Sequence, residues 1–409
     1  MRELGECQVA VIGAGIVGLA VARSLAQRTR ARIGVVEAEA AVAAHQSGHN
    51  SGVMHSGLYY APGSLKAHNC TAGRQALERY CEDNAIPWRR CGKVVVATEP
   101  AQLPVLEELE RRGRANGLVG IRRLAANEIA EFEPAARGVA GLWVGETGVV
   151  DYRTVAVAYA RDVASFGGTV WLGSRLLGVR QRGRTTVLDT ERGEVACEAV
   201  VNCAGLQSDR VARMCGHHPR VRIVPFRGEY YELAPAAAEL VHGLIYPVPD
   251  PRFPFLGVHF TRRITGEVEA GPNAVLAFKR EGYRWTAVSV RDLASTLFFP
   301  GFWVLAGRYW KTGCGEVVRS WSKAAFARAL QRLVPAVGQE DLRRGGAGVR
   351  AQALDASGRL LDDFCIVGGE RQIHVLNAPS PAATASLAIG ETVATMAIEA
   401  FSLPLRGRA

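Results

Sequence analysis

The chain has 409 residues, 48% of them hydrophobic, enough for two sizeable cores or one interleaved core that encloses a bulky cofactor. No apolar run reaches the length that spans a bilayer, and the N-terminus lacks the charged, apolar and small-residue order of a secretory signal, so a cytoplasmic location is expected. The net charge of +10 comes mostly from scattered arginines such as Arg111, Arg112, Arg114, Arg122 and Arg123, which read as a solvated surface; without an aromatic-and-basic RNA motif, no nucleic acid is expected.

Two uses of the excess charge stay open: peripheral contact with the anionic inner face of a membrane, and attraction of a dianionic substrate. Nine cysteines are spaced irregularly with no C-x-x-C pair, so neither a redox dithiol nor a zinc ribbon is expected, and the metal expectation is none.

Gln8 to Ile12 is a β-branched run that reads as a buried parallel strand, and it leads into Gly13-Ala14-Gly15-Ile16-Val17-Gly18. A helix follows through Ala26, and Ile33-Gly34-Val35-Val36 returns as a strand ending at Glu37. In this βαβ unit Gly13 allows the tight turn, Gly15 lets the backbone approach a pyrophosphate, and Gly18 lets helix and strand pack closely. The helix N-terminus would hold the phosphates, and Glu37 would accept hydrogen bonds from an adenosine ribose. An acid there disfavours a 2′-phosphate, leaving FAD or NAD.

After a small-residue helical turn at 38–44 comes His45 to Tyr60, which mixes three histidines, several glycines and small polar residues with apolar ones. It reads as a functional loop. Ser47, His49, Asn50, Ser51 and Gly52 suit an extended second cradle, which favours a flavin over NAD. Ser64 can cap a helix to about Asn84, with Leu65, Cys70, Leu77, Tyr80 and Cys81 on one side. Lys93 to Thr98 is a strand, Leu103 to Asn116 a charged helix, and 126–128 a turn.

Asp151 is the expected N-cap of a second helix, and the strand begun at Thr169 can join the nucleotide-binding sheet. Val195 to Asn202 reads as one apolar run, after which Cys203, Ala204 and Gly205 are small enough to touch the cofactor. Ser208 or Asp209 would cap the next helix. From Val221 to Gly282 the pattern turns strand-rich and aromatic, with Tyr246, Phe253, Phe255 and Phe260 among others, as a substrate lobe would. Val288 to Leu333 is mostly helical, broken at Pro300-Gly301. The final segment returns to glycine at 345–348, then runs through His374 to Asn377 and Pro379-Ser380-Pro381-Ala382-Ala383-Thr384 into an Ala-rich helix. Gly348, Pro379, Ser380, Ala382 and Ala383 are expected to line the cofactor.

With the loop Gly48-His49-Asn50-Ser51-Gly52-Val53-Met54-His55-Ser56-Gly57 and the closing Asn377 to Thr384 in view, the chain resembles the FAD-dependent D-amino-acid-oxidase-like superfamily. Within it the chain is similar to L-2-hydroxyglutarate dehydrogenases and oxidases. Cys91-Gly92-Lys93, Ile223 to Gly228, Tyr246 to Asp250, Arg252 to Thr261, Gly271 to Tyr283 and Gly348 to Asp355 carry that similarity.

The resemblance implies an α/β fold: a Rossmann-like FAD-binding domain in three pieces, 1–85, 148–217 and 344–409, interleaved with an antiparallel-sheet substrate domain, 86–147 and 218–343. It implies FAD and the oxidation of L-2-hydroxyglutarate to 2-oxoglutarate, with hydride passing to flavin N5 and electrons then to oxygen or a quinone. An alcohol proton needs a base, and His55 and His259 are equal candidates. Two carboxylates need cationic or multi-donor anchors. Arg227, Lys279, Arg280 and Arg350 lie in matching motifs, with Arg280 also placed in the catalytic set, and Tyr246 and Asn273 would add hydrogen bonds. Lys66 is a further candidate. The alternative is an amine or amino-acid oxidase of the same superfamily.

Overall fold

The computed structural model describes residues 2–250 and 256–407. Residues 251–255, which carry part of the Arg252–Thr261 motif and both Phe253 and Phe255, lie outside the described residues, as does the side chain of Leu65.

Strand Val9–Ile12 is buried along its length, as a strand covered on both faces must be. It lies in a six-stranded sheet ordered Thr169–Trp171, Ile33–Val36, Val9–Ile12, Ala199–Asn202, Gln372–Asn377 and Cys365–Gly369. The first five strands run parallel and the last antiparallel. Helix Ile16–Arg28 buries Leu19, Val21, Ala22 and Leu25 against it. On its other side it meets the terminal helix Ser386–Ala400 so closely that a Cβ at Gly390 would sit 2.7 Å from the backbone of Ala20. Small residues on both helices permit that approach.

The second large sheet has nine strands and is mostly antiparallel. Its long members, Val221–Leu233 and Leu342–Asp355, pair antiparallel with Phe226 opposite Arg350 and Gly228 opposite Gly348. Strands Lys93–Ala97, Leu244–Pro247 and His259–Arg262 lie toward its other end. Two smaller sheets complete the set among the described residues.

Several elements differ from the sequence reading. The run Val195–Asn202 breaks at Glu198: Gly193–Cys197 belongs to a four-stranded sheet and Ala199–Asn202 to the parallel one. The segment 38–44 is bends and turns rather than helical. The glycine-rich 344–355, expected with the cofactor domain, continues strand Leu342–Asp355 of the antiparallel sheet, and the chain re-enters the parallel sheet only at Cys365. Gln207, not Ser208 or Asp209, occupies the N-cap position of helix Ser208–Met214 and makes no side-chain cap hydrogen bond, while the Asp209 carboxylate accepts from Arg280. Ser64 and Asp151 cap as expected, accepting from the backbone N–H of Ala67 and Arg153.

Candidate active site

A cavity of about 1600 Å³ runs from the first βαβ turn to the face of the antiparallel sheet. At one end Gly13, Gly15, Gly18 and Glu37 line it. Gly13 has φ +105°, and a Cβ there would lie 2.6 Å from the Cys203 carbonyl oxygen; a Cβ on Gly18 would run into the carbonyl of Gly13. Only glycine fits either position. Gly15 caps the helix without a side-chain hydrogen bond, so the positive end of the helix dipole faces the cavity. The Glu37 carboxylate is buried and accepts from the N–H groups of Ala14 (2.6 Å) and Glu39 (2.9 Å). It braces the turn as well as lining the site, and each carboxylate oxygen keeps a second lone pair for a ribose hydroxyl.

The loop after this unit is tied down at both ends. Ser47 Oγ accepts from the N–H of Ile16 at 2.8 Å, and Asn50 donates to the carbonyls of Gln46 and Ser47. His49 stacks on Tyr283 with ring centroids 4.2 Å apart, and a Cβ on Gly348 would meet the His49 carbonyl. Ser47, His49, Asn50, Ser51, Ala204, Gly205, Gly348, Pro379, Ser380, Ala382 and Ala383 all line the cavity. Gly52 does not: its φ of +71° and its closeness to the Val150 carbonyl give it a turn-forming part instead. The elongated, glycine-walled shape and the exposed helix dipole fit FAD.

At the other end His55, Tyr59, Tyr246, His259 and Arg350 meet. The His55 N–H donates to Thr384 Oγ1 at 3.1 Å, and Thr384 also bonds the Tyr152 hydroxyl at 2.8 Å, fastening the loop to the terminal turn. The His259 ring stacks on Tyr246 at 3.8 Å, and its Nδ1 lies 2.9 Å from the Gly257 carbonyl. That contact requires the proton on Nδ1 and leaves the Nε2 lone pair open. Burial pushes both imidazoles down to about 3; Lys93 and then His259 add to the effect on His55, and Arg350 and then Lys93 to that on His259. Both are therefore neutral at physiological pH.

Lys93 drew no site expectation from the sequence. Its side chain is fully buried, with Nζ 4.3 Å from the Tyr59 ring centroid and 5.0 Å from that of Tyr246. Burial pushes it down to about 7. The Tyr59 hydroxyl is buried with no hydrogen-bond partner among the described residues, an orphan donor in the wall of the cavity. A lysine in an apolar strand next to Cys91-Gly92 was the available signal, and its pattern alone reads as an edge charge.

Four expected anchors lie elsewhere. On strand Val221–Leu233 the cavity touches Gly228 and Tyr230, so alternation turns Arg227 to the opposite face. There it pairs with Glu229 at 3.0 Å and covers the Trp285 ring at 4.4 Å. Asn273 bonds the Glu229 backbone and carboxylate. Arg280, placed in the catalytic set by the sequence, is enclosed by Asp209 and the carbonyls of Leu206 and Ile223, and serves the junction between the sheets. Neither it nor Lys279 lines the cavity. Lys66 does, with Nζ 2.7 Å from Asp362. One acidic and histidine group, Glu39, His45 and Glu281, has metal-ligand spacing, but Arg175 pairs with both carboxylates.

The family described as FAD dependent oxidoreductase matches residues 8–396. An L-2-hydroxyglutarate dehydrogenase of Indibacter alkaliphilus is 53% identical over 97% of this chain and 100% of its own length. The mitochondrial L-2-hydroxyglutarate dehydrogenase of Homo sapiens is 44% identical over 97% of this chain and 89% of its own. Among solved structures, an L-alpha-glycerophosphate oxidase from Mycoplasma pneumoniae with FAD bound superposes with a TM-score of 0.80 at 20% identity, covering 100% of this chain and 97% of that one. A glycine oxidase from Geobacillus kaustophilus gives 0.71 at 19% identity, covering 99% of each chain. The chain belongs to the FAD-dependent oxidoreductase family that includes these L-2-hydroxyglutarate dehydrogenases.

Proposed function

We propose that the protein oxidises L-2-hydroxyglutarate to 2-oxoglutarate. The observation that carries this reading is the meeting, at one end of a dinucleotide-shaped cavity, of two neutral imidazoles with Arg350, with Lys93 buried against the Tyr59 and Tyr246 rings that line it, together with the name its relatives carry. Bound FAD supplies the acceptor for two electrons, a capacity no side chain here has.

An α-hydroxy acid carries its hydroxyl one carbon from a carboxylate, so base and anchor must be neighbours. Arg350 and His259 are such a pair: the guanidinium takes the C1 carboxylate and His259 Nε2 accepts the hydroxyl proton, with the Gly257 carbonyl fixing the tautomer. His55, without a side-chain tie of its own among the described residues, orients the hydroxyl oxygen. Lys93 gains its proton when the dianion arrives and balances the second carboxylate. Tyr59 donates its orphan hydroxyl to the substrate.

Anaerobic mixing of flavin-loaded protein with a panel of 2-hydroxyacids tests the reading: bleaching is expected with L-2-hydroxyglutarate and not with glycine, sarcosine or D-alanine. The reverse result establishes the amine-oxidase alternative, which the fold likeness to a glycine oxidase keeps in view. His259→Asn is expected to lower kcat about 10²–10⁴-fold and His55→Asn mainly to raise KM; the opposite split transfers the base to His55. Reoxidation with air against a quinone identifies the acceptor.

A further inference from the structure

Between strand Val275–Leu276 and helix Val290–Leu297 the substrate lobe sends out a loop, 277–289, without regular structure. Its neck is closed by the N–H of Ser289, which donates to the Phe278 carbonyl at 3.0 Å, and a compact loop with its ends together keeps its shape on the surface. One side is rooted in its own lobe: Trp285 donates to Ser320 at 3.0 Å and lies beneath Arg227. The other side crosses to the cofactor lobe. A tight turn, in which the Gly282 N–H donates to the Lys279 carbonyl at 3.0 Å, presents Arg280, Glu281 and Tyr283 there.

The crossings form two tiers. Arg280 on Asp209 is the inner one, with both side chains shut away from water and from salt. The outer tier is part exposed. Glu281 accepts from Gln207 at 2.9 Å and lies 3.6 Å from Arg175, which also holds Glu39; His45 joins Glu39, at 3.2 Å, to the Tyr283 hydroxyl, at 2.9 Å. The side chains of His45, Glu39 and Arg175 are 30%, 31% and 36% exposed. This tier stands at the ribose acid, since the N–H of Glu39 donates to the Glu37 carboxylate and that of Ser174, beside Arg175, to the Glu37 carbonyl at 2.7 Å. Glu281 and Asp292 line the cavity together with Arg175, His45 and Gln207, so the loop is part of the wall that would enclose the nucleotide.

We propose that loop 277–289 is a strap over bound FAD, rooted by Arg280 on Asp209 and latched by Glu281 and Tyr283 on Arg175, Gln207 and His45, and that unlatching sets the rate at which FAD leaves. Part-exposed ion pairs contribute little to folding, so they part and re-form while the buried root and the two cores stay intact. With the latch undone the wall beside the ribose acid opens, a motion of the kind by which loops gate ligand exchange. The strap rests on FAD as the cofactor and not on the identity of the alcohol. Flavin bleaching by a 2-hydroxyacid and flavin release are separate measurements, and either can fail without the other.

Release of FAD from the loaded protein, read as the rise of flavin fluorescence after dilution into flavin-free buffer, tests it. In the native protein release is expected to quicken as salt rises, because the latch is open to screening. Glu281→Gln is expected to release FAD about tenfold faster at low salt, with the gap to the native protein closing at high salt, and Tyr283→Phe, which keeps the ring on His49, about threefold faster. Glu128→Gln removes an exposed charge from its pair with Arg122, neither of which lines the cavity, and is expected to leave release unaltered. The FAD-free Glu281→Gln protein is expected to melt with the native apoprotein. The proposal is overturned by native release indifferent to salt, by a native rate in either latch variant, by equal acceleration in Glu128→Gln, or by an apoprotein Tm that falls as the release rate climbs.

Discussion

The two ends of the cavity are built by different means. At the nucleotide end the wall is mostly backbone: Gly13, Gly15 and Gly18 create space, and a helix terminus supplies the field. At the alcohol end the wall is side chains drawn from segments far apart in the chain, namely His55, Tyr59, Tyr246, His259 and Arg350, with Lys93 buried against the two tyrosine rings. Recognition by backbone tolerates little change at a few adjacent positions. Recognition by side chains depends on which face of a strand each one occupies.

The largest effect is expected where space itself is the function. Gly18→Ala would drive a Cβ into the Gly13 carbonyl, so purified protein is expected to lose the yellow flavin absorbance or fail to accumulate folded. A variant that keeps full flavin content breaks the view of this end as a steric device.

Next comes the contrast between two arginines opposed across the sheet face. Arg350→Met, removing a cation from the cavity wall, is expected to raise KM about 10²-fold, in line with the ~2–5 kcal/mol cost of leaving a buried charge unpaired. Arg227→Met is expected to change kcat/KM little and to lower Tm, since its partners are Glu229 and Trp285 rather than the cavity. Equal effects on KM would erase the distinction drawn from strand alternation.

Lys93 links stability to pH. Its value in the folded protein lies below that of an ordinary lysine, near 7, so the unfolded chain binds the proton more tightly. Native stability therefore carries a penalty that is full below pH 7 and fades as pH rises toward the ordinary lysine value. Lys93→Met is expected to raise Tm at neutral pH while weakening substrate binding. In the native enzyme kcat/KM is expected to fall as pH rises through about 7, a limb that the methionine variant lacks. The imidazoles, held near 3, contribute no titration in that range.

The smallest change is at Tyr59. Its hydroxyl has no hydrogen-bond partner among the described residues, so Tyr59→Phe is expected to leave Tm unchanged or slightly higher and to weaken substrate affinity about three- to tenfold, the value of one hydrogen bond.

The nucleotide end follows from the order of residues along the chain. A strand, three glycines, a helix and an acid are consecutive in the chain, so local backbone geometry dictates their arrangement, and the loop from His45 to Tyr60 follows directly from it. The terminal Pro379–Thr384 turn was legible for the same reason. Which cations face the alcohol depends on how distant strands pair. Arg227 and Arg350 both sit in β-branched and glycine-bearing strand segments, yet the pairing of Phe226 with Arg350 sends one into the cavity and the other away. Arg280 turned out to be the partner of Asp209, a contact across 71 positions that no local pattern announces. Lys93 gained its importance only when tyrosines from two remote segments closed around it, because desolvation is a property of the assembled surroundings and not of the residue.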